Sequence, residues 1–221
     1  MNKVDLKPVF DFLSSLKEHN NRPWFEEHRT DYELARERFE SFVDGLILEY
    51  GSIEDFGGVT AKDCVMRIYR DTRFSKDKSP YKTGMGATLA PGGKKSISLG
   101  YHLHLQPHNE TLIAGGLYMP SPEQLARFRI AIDRDAAPFK AILKDKEFKK
   151  YFGGLEGEKL KTVPQGYSGE HPEIELLRFK QVVVIHYVSD ETALSPTFGA
   201  HTIKVFRAMK PFLDYLNMIL K

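Results

Sequence analysis

The fold turns on the run Ser96-Ile97-Ser98-Leu99-Gly100-Tyr101-His102-Leu103-His104-Leu105-Gln106, the turn residues Pro107-His108-Asn109, and then Thr111-Leu112-Ile113-Ala114-Gly115-Gly116-Leu117-Tyr118. Both runs read as strands, and Pro107-His108-Asn109 is a turn signal between them. So short a connection joins antiparallel neighbours, because parallel strands need a crossover of a dozen residues or more. Upstream, Gly84–Ala90 reads as another strand, set off by Pro91-Gly92-Gly93, and Val65–Phe74 alternates as a strand would. The expectation is an antiparallel meander with no βαβ unit.

Helical spacing frames this block on both sides. Leu6, Val9, Phe10, Leu13 and Leu16 predict an amphipathic helix over about 5–19. Asn20-Asn21-Arg22 ends it, and Pro23 suits the first turn of a second helix through residue 50, with a kink near Thr30-Asp31. Gly51–Gly58 reads as loop. Trp24 and Phe25 are expected in the core. After the meander, Ser121-Pro122-Glu123-Gln124 has the pattern of a capping box. Residues 136–152 predict one or two short helices ended by Gly153-Gly154, and Lys159–Val163 a short strand. His171-Pro172 opens a short helix, and Gln181–Val188 predicts a central strand because of its β-branched run. Ser195-Pro196 starts a last helix that Pro211 is expected to kink or break. Helices, then antiparallel strands, then helices give an α+β class: a central, mostly antiparallel sheet with helices from both termini packed against it. With no long polar linker and no repeat, the 221 residues are expected to form a single domain over 1–221.

Composition narrows the function classes. Hydrophobic residues make up 41% and charged residues 28%, ordinary values for a globular protein. The single cysteine, Cys64, lies in an apolar run and is expected to be a buried structural thiol. One thiol excludes an internal disulfide and any Cys-rich zinc site. The sequence shows neither a signal peptide nor an apolar run of membrane-spanning length, so a cytoplasmic protein without a membrane partner is expected.

The net charge of +2 is too small for bulk attraction to nucleic acid, but it is unevenly spread. Residues 67–95 hold Arg67, Arg70, Arg73, Lys76, Lys78, Lys82, Lys94 and Lys95 against Asp71 and Asp77. That is a local net of +6, so the remainder of the chain carries −4. A basic patch on an acidic body suits a small anion better than a long polyanion.

Within the patch, Arg67, Arg70, Arg73 and Lys78 are the candidate ligand-binding residues. Guanidinium forks match carboxylate and phosphate. Were Val65–Phe74 a strand, Arg67, Asp71 and Arg73 would share one face and Arg70 the other. Asp71 would align the arginines or act as a base, and Tyr81 would orient the ligand. These two are the candidate catalytic residues if the pocket is an enzyme's, where the charges would stabilise an anionic transition state. Two alternatives stand beside this reading. The basic face could serve a nucleic-acid or protein interaction module, with nucleic acid disfavoured by the acidic remainder. Or the arginines could be a structural network that pairs with Asp71 and Asp77.

Arg67, Arg70, Asp71, Arg73, Phe74, Asp77, Lys78 and Tyr81 stand within fifteen residues, and at these positions the chain resembles the bacterial and fungal domain of unknown function 2461 family. Asn21-Arg22-Pro23-Trp24-Phe25, Gly115-Gly116-Leu117-Tyr118 and the stretch from Pro164-Gln165-Gly166-Tyr167 to His171-Pro172 share the likeness, which covers nearly the whole chain. The resemblance implies no activity, but it gives the Arg67–Tyr81 segment more weight as a site.

Other templates fail. The sequence contains no G-x-S-x-G, Walker loop or G-x-G-x-x-G. His102 and His104 share a strand face, but His108 falls in a turn and no metal site is expected. No cofactor is predicted.

Overall fold

A computed structural model describes residues 4–221. The protein is α+β, with a four-stranded antiparallel sheet ordered β1-β2-β3-β4. The strands are β1 (Met85–Leu89), β2 (Tyr101–Leu105), β3 (Thr111–Leu117) and β4 (Val182–Val188). β1 and β2 pair antiparallel, placing Gly86 opposite His104 and Thr88 opposite His102.

The chain divides into two compact units. Unit 1 comprises the N-terminal residues through Ile97, then Tyr101–Ile113 and Tyr187–Lys204. Its helices include α1 (Lys7–Glu18), α2 (Arg22–Glu27), α3 (Arg29–Tyr50), α4 (Ala61–Cys64) and α9 (Asp190–Ala193). α1 buries Val9, Phe10, Phe12, Leu13 and Leu16, and α3 buries Ala35, Phe39, Phe42, Val43, Leu46 and Tyr50. Residues three and four apart lie on one helical face, which is why these positions and not their neighbours make the core.

The helix expected over 23–50 is two helices. The break falls at His28, which leaves helical geometry (φ −104°, ψ 24°) while its Nδ1 bonds the Trp24 carbonyl at 2.9 Å. Asn21 caps α2 by accepting from the Trp24 amide at 3.0 Å. Cys64 is buried, and burial pushes its thiol up to about 11.

Unit 2 comprises Ser98–Gly100, Ala114–His186 and Val205–Lys221. It holds α5 (Pro122–Arg134), α6 (Ala137–Lys144), α7 (Lys146–Phe152) and α8 (Ile174–Leu177). The capping box forms as read: Gln124 N–H donates to Ser121 Oγ (3.2 Å) and Ser121 N–H to Gln124 Oε1 (2.9 Å). Its core is aromatic. Phe139 packs on Phe128 at 5.4 Å and on Tyr215 at 5.2 Å between ring centres, and Phe148 on Phe212 at 5.9 Å. Each buried ring contributes on the order of 2–3 kcal/mol of transfer free energy. Gly116 (φ 119°) lets the Val182 carbonyl approach, since a Cβ there would lie 2.2 Å from that oxygen.

Several expectations are corrected. Gln181–Val188 forms a strand, but β4 ends the sheet order instead of lying in its centre. Val182, Val183, Val184 and Val188 are buried all the same, and an isolated bridge joins Glu156 to Val183. Lys159–Val163 is not a strand; only Lys159 makes a bridge, to Phe179. Pro211 does not break the last helix: α10 runs unbroken over Phe198–Leu220. Proline removes one helical hydrogen bond, and the buried Met209, Phe212, Leu213 and Leu216 around it hold the helix together.

Val65–Phe74 is also no strand. Only single bridges form, Val65 to Ala87 and Tyr69 to Tyr81. Pro80 lacks an N–H and the residues beyond Arg70 bond among themselves, so the ladder cannot extend. The face assignment that depended on a strand through Phe74 falls with it, and Phe74 itself is 96% exposed. No helix among the described residues is long and apolar enough to cross a membrane.

Candidate functional site

The Arg67–Tyr81 segment is a short stem carrying a braced loop. The stem closes where Lys82 N–H donates to the Ile68 carbonyl (2.8 Å) and Arg70 N–H to the Pro80 carbonyl (2.9 Å). Ile68 and Tyr81 are buried at its base. Tyr81 stacks on Phe25 at 4.0 Å and 12°. The two main-chain polar groups of Tyr81 are both held by Asn20: its N–H donates to Asn20 Oδ1 (3.1 Å) and its carbonyl accepts from Asn20 Nδ2 (3.0 Å). Residue 81 is therefore fixed from both sides, by packing and by an amide clamp.

Beyond the stem, the loop bonds to itself. The Arg70 guanidinium pairs with Asp77 and also reaches Ser75 Oγ at 3.4 Å. Asp77 accepts from the Ser79 hydroxyl (2.6 Å) and Ser79 N–H (2.9 Å), and these bonds, with the Arg70 pair, hold its carboxyl well below the usual range. Arg73 grips Asp71 through Nε (3.0 Å) and Nη2 (2.6 Å), which keeps the Asp71 carboxyl low as well. Lys78 Nζ donates to the Thr72 carbonyl at 2.9 Å. Arg67 is exposed and makes no hydrogen bond or ion pair among the described residues.

A hollow of about 400 Å³ opens beside the stem, lined by Lys17, Asn20, Arg70, Asp77, Ser79, Tyr81, Lys82, Thr83, Gly84, His104 and Gln106. All of these belong to unit 1. Of the residues singled out in the sequence, Arg70 and Tyr81 line this hollow; Arg67, Asp71, Arg73 and Lys78 do not.

Sequence reading missed the rest of the lining. Lys82 is half-buried and makes no ion pair among the described residues. Burial lowers its pKa, and the neighbouring Arg67 guanidinium lowers it further. His104 Nε2 donates to Gln106 Oε1 at 2.9 Å, since an amide oxygen can only accept. Gln106 in turn donates to Glu110, and Lys17 lies 3.4 Å from the same carboxylate. Gly84 makes room for the imidazole: a Cβ there would stand 2.4 Å from His104 Nε2. His102, two residues back, shares Nδ1 with Thr88 Oγ1 at 3.3 Å. Its pKa is pushed down to about 4, chiefly by burial, with His104 and Lys82 adding to the effect. The signal was present in the sequence, because His102 and His104 were placed on one face; nothing in it said that Lys82 would come to lie over that face.

Two further histidines lie outside the hollow. His108, in the β2–β3 turn (φ 69°), and Asn109 both donate main-chain N–H groups to Asp190 at 2.8 Å. His171 accepts at Nδ1 from Glu173 N–H (3.0 Å) and donates through Nε2 to Asp133 (3.0 Å), so neither nitrogen is left for chemistry. No cluster of three His, Cys, Asp or Glu groups able to hold a metal occurs among the described residues.

Comparison with curated proteins and with solved structures finds no match to this chain. A family model, described as a conserved hypothetical protein (DUF2461), matches residues 8–215. That span takes in most of α1, the braced loop, all four strands and most of α10, and the chain therefore belongs to the DUF2461 family.

Proposed function

We propose that the hollow beside the Arg70–Tyr81 stem binds a small anion, a phosphorylated or carboxylated metabolite. The observation that carries this reading is Lys82. A lysine that is half-buried, unpaired and already depressed in pKa costs stability as it stands, and an anion beside it would remove that cost. The wall supplies two further cations, Lys17 and Arg70, against one lining carboxylate, Asp77. His104, Thr83 and Ser79 add hydrogen-bonding groups at the same place. In this reading Arg73, Asp71 and Lys78 give the loop its shape, Arg67 contributes positive potential near Lys82, and Tyr81 forms a rigid wall.

The test is a melting-temperature screen with inorganic phosphate, sugar phosphates, nucleotides and short dicarboxylates, each against chloride at equal ionic strength. At a hundred times its Kd, a ligand of the native state adds about 2.7 kcal/mol. The expected result is anion-specific stabilisation that is absent in Lys82→Met. No stabilisation by any anion, or the same stabilisation in Lys82→Met, would sink the proposal.

One observation favours a second reading, an interaction module that uses the basic face. Phe74 is 96% exposed at the loop tip, with the Arg73 guanidinium 5.9 Å from its ring centre, and Tyr69 is 45% exposed. Exposed aromatics among cations suit stacking on single-stranded nucleic acid. Low-salt gel retardation of an oligonucleotide, lost in Phe74→Ala, is its expected signature; no retardation at low salt sets it aside.

A further inference from the structure

Unit 1 has a second hollow, of about 500 Å³, whose chemistry is the reverse of the first. It is lined from α1 by Pro8, Asp11, Phe12, Ser15 and the capping His19, and from α2, α3 and their junction by Trp24, His28, Asp31 and Leu34. No lysine or arginine lines it. Trp24 was expected in the core beside Phe25. Phe25 is buried, whereas Trp24 is only half-buried and faces this hollow. Its indole stacks on the His28 imidazole at 4.1 Å and 13°, and His19 lies 5.7 Å away at 25°. Phe12 approaches at 6.0 Å. The walls thus offer flat, electron-rich surface, which attracts cations.

The polar groups carry the same preference. His28 Nδ1 is committed to the Trp24 carbonyl at 2.9 Å, and because a carbonyl only accepts, Nδ1 holds the proton. In the neutral ring Nε2 is then an acceptor. Asp11 is taken by Lys7 at 2.6 Å. Asp31 makes no hydrogen bond or ion pair among the described residues. An anion would find no lysine or arginine among the lining residues, and the nearby Lys7 is already paired with Asp11, while a protonated amine would find the Asp31 carboxylate, the His28 Nε2 and aromatic surface.

We propose that this hollow is a separate binding site for a small organic cation, an ammonium group on a flat or apolar body, with Asp31 as counter-charge and Trp24 as the contact surface. The site is independent of the anion reading.

Trp24 is the chain's single tryptophan, so its emission reports on this hollow alone. The experiment titrates the full chain with 2-phenylethylammonium and, separately, with phenylacetate, which has a closely similar body and the opposite charge. Trp24 emission and calorimetric heat are both followed. The expected result is saturable binding of the ammonium with a midpoint at least tenfold below that of phenylacetate, and a loss of at least fivefold in Asp31→Asn. No saturable signal by either readout, equal midpoints for the two ligands, or an unchanged midpoint in Asp31→Asn would overturn the proposal. Should Asp31→Asn fail to fold, the comparison of the two ligands on the parent chain decides alone.

Discussion

Between Arg70 and Ser79, the side chains of Arg70, Arg73 and Lys78 each find an oxygen within seven residues along the chain. A few residues further on, Lys82 lies half-buried with no carboxylate beside it and another cation, Arg67, nearby. The residue types are the same and the consequences differ. A paired, solvent-exposed guanidinium gains little net energy, and its value is to hold a loop in one shape. A desolvated, unpaired ammonium is held at a cost and stays available to a ligand. Density of positive charge along the sequence therefore does not say which cations stay unpaired; pairing and burial decide that.

The sharpest way to break the comparison is to remove the wall that both regions share. Tyr81→Ala deletes a buried ring stacked on Phe25, and a loss of about 3–5 kcal/mol is expected in urea unfolding. Loop and hollow should then fail together; a variant with parental stability would show that the stem does not organise either region.

The next largest effect is on the hollow's side. His102 is held neutral, with its pKa pushed from 6.5 down to about 4. Below the higher value the unfolded chain takes up a proton at this ring that the folded chain refuses, so stability falls as pH drops through that window. His102→Gln cannot titrate and should lose less stability between neutral pH and pH 4, by on the order of 2 kcal/mol. Parallel acid limbs for the two proteins would contradict the burial assigned to this histidine.

Lys82→Met keeps the apolar stem and removes the desolvated charge. Without ligand it should melt at or above the parental temperature; with phosphate it should bind at least tenfold more weakly, about 1.4 kcal/mol. A lower melting temperature without ligand would mean that Lys82 already has a stabilising partner. The smallest effect is expected from Arg73→Ala, which breaks an exposed pair with Asp71: no resolvable change in melting temperature and no change in anion binding. A tenfold loss of anion binding in that variant would erase the distinction between the two regions.

The helices and the hairpin were legible because they rest on local rules. Spacing of apolar residues gave the buried face of α1. Ser121 and Gln124 gave the start of α5, and the turn Pro107-His108-Asn109 gave the antiparallel pairing of β2 and β3. The errors arose where a local signal met a non-local one. The alternation of Val65–Phe74 looked like a strand because periodicity does not record whether a partner strand is available, and Pro80 denies it one. Pro211 looked like a helix break because propensity does not record how firmly the flanking residues are packed.

The charge of the Arg67–Tyr81 segment and the face shared by His102 and His104 were set by sequence alone, since both follow from residue type and spacing. Which cations are spent and which remain free was decided only by tertiary structure. Desolvation and ion pairing depend on distances between side chains far apart in the chain, such as Lys17 and Lys82 around one hollow, and no one-dimensional pattern contains those distances.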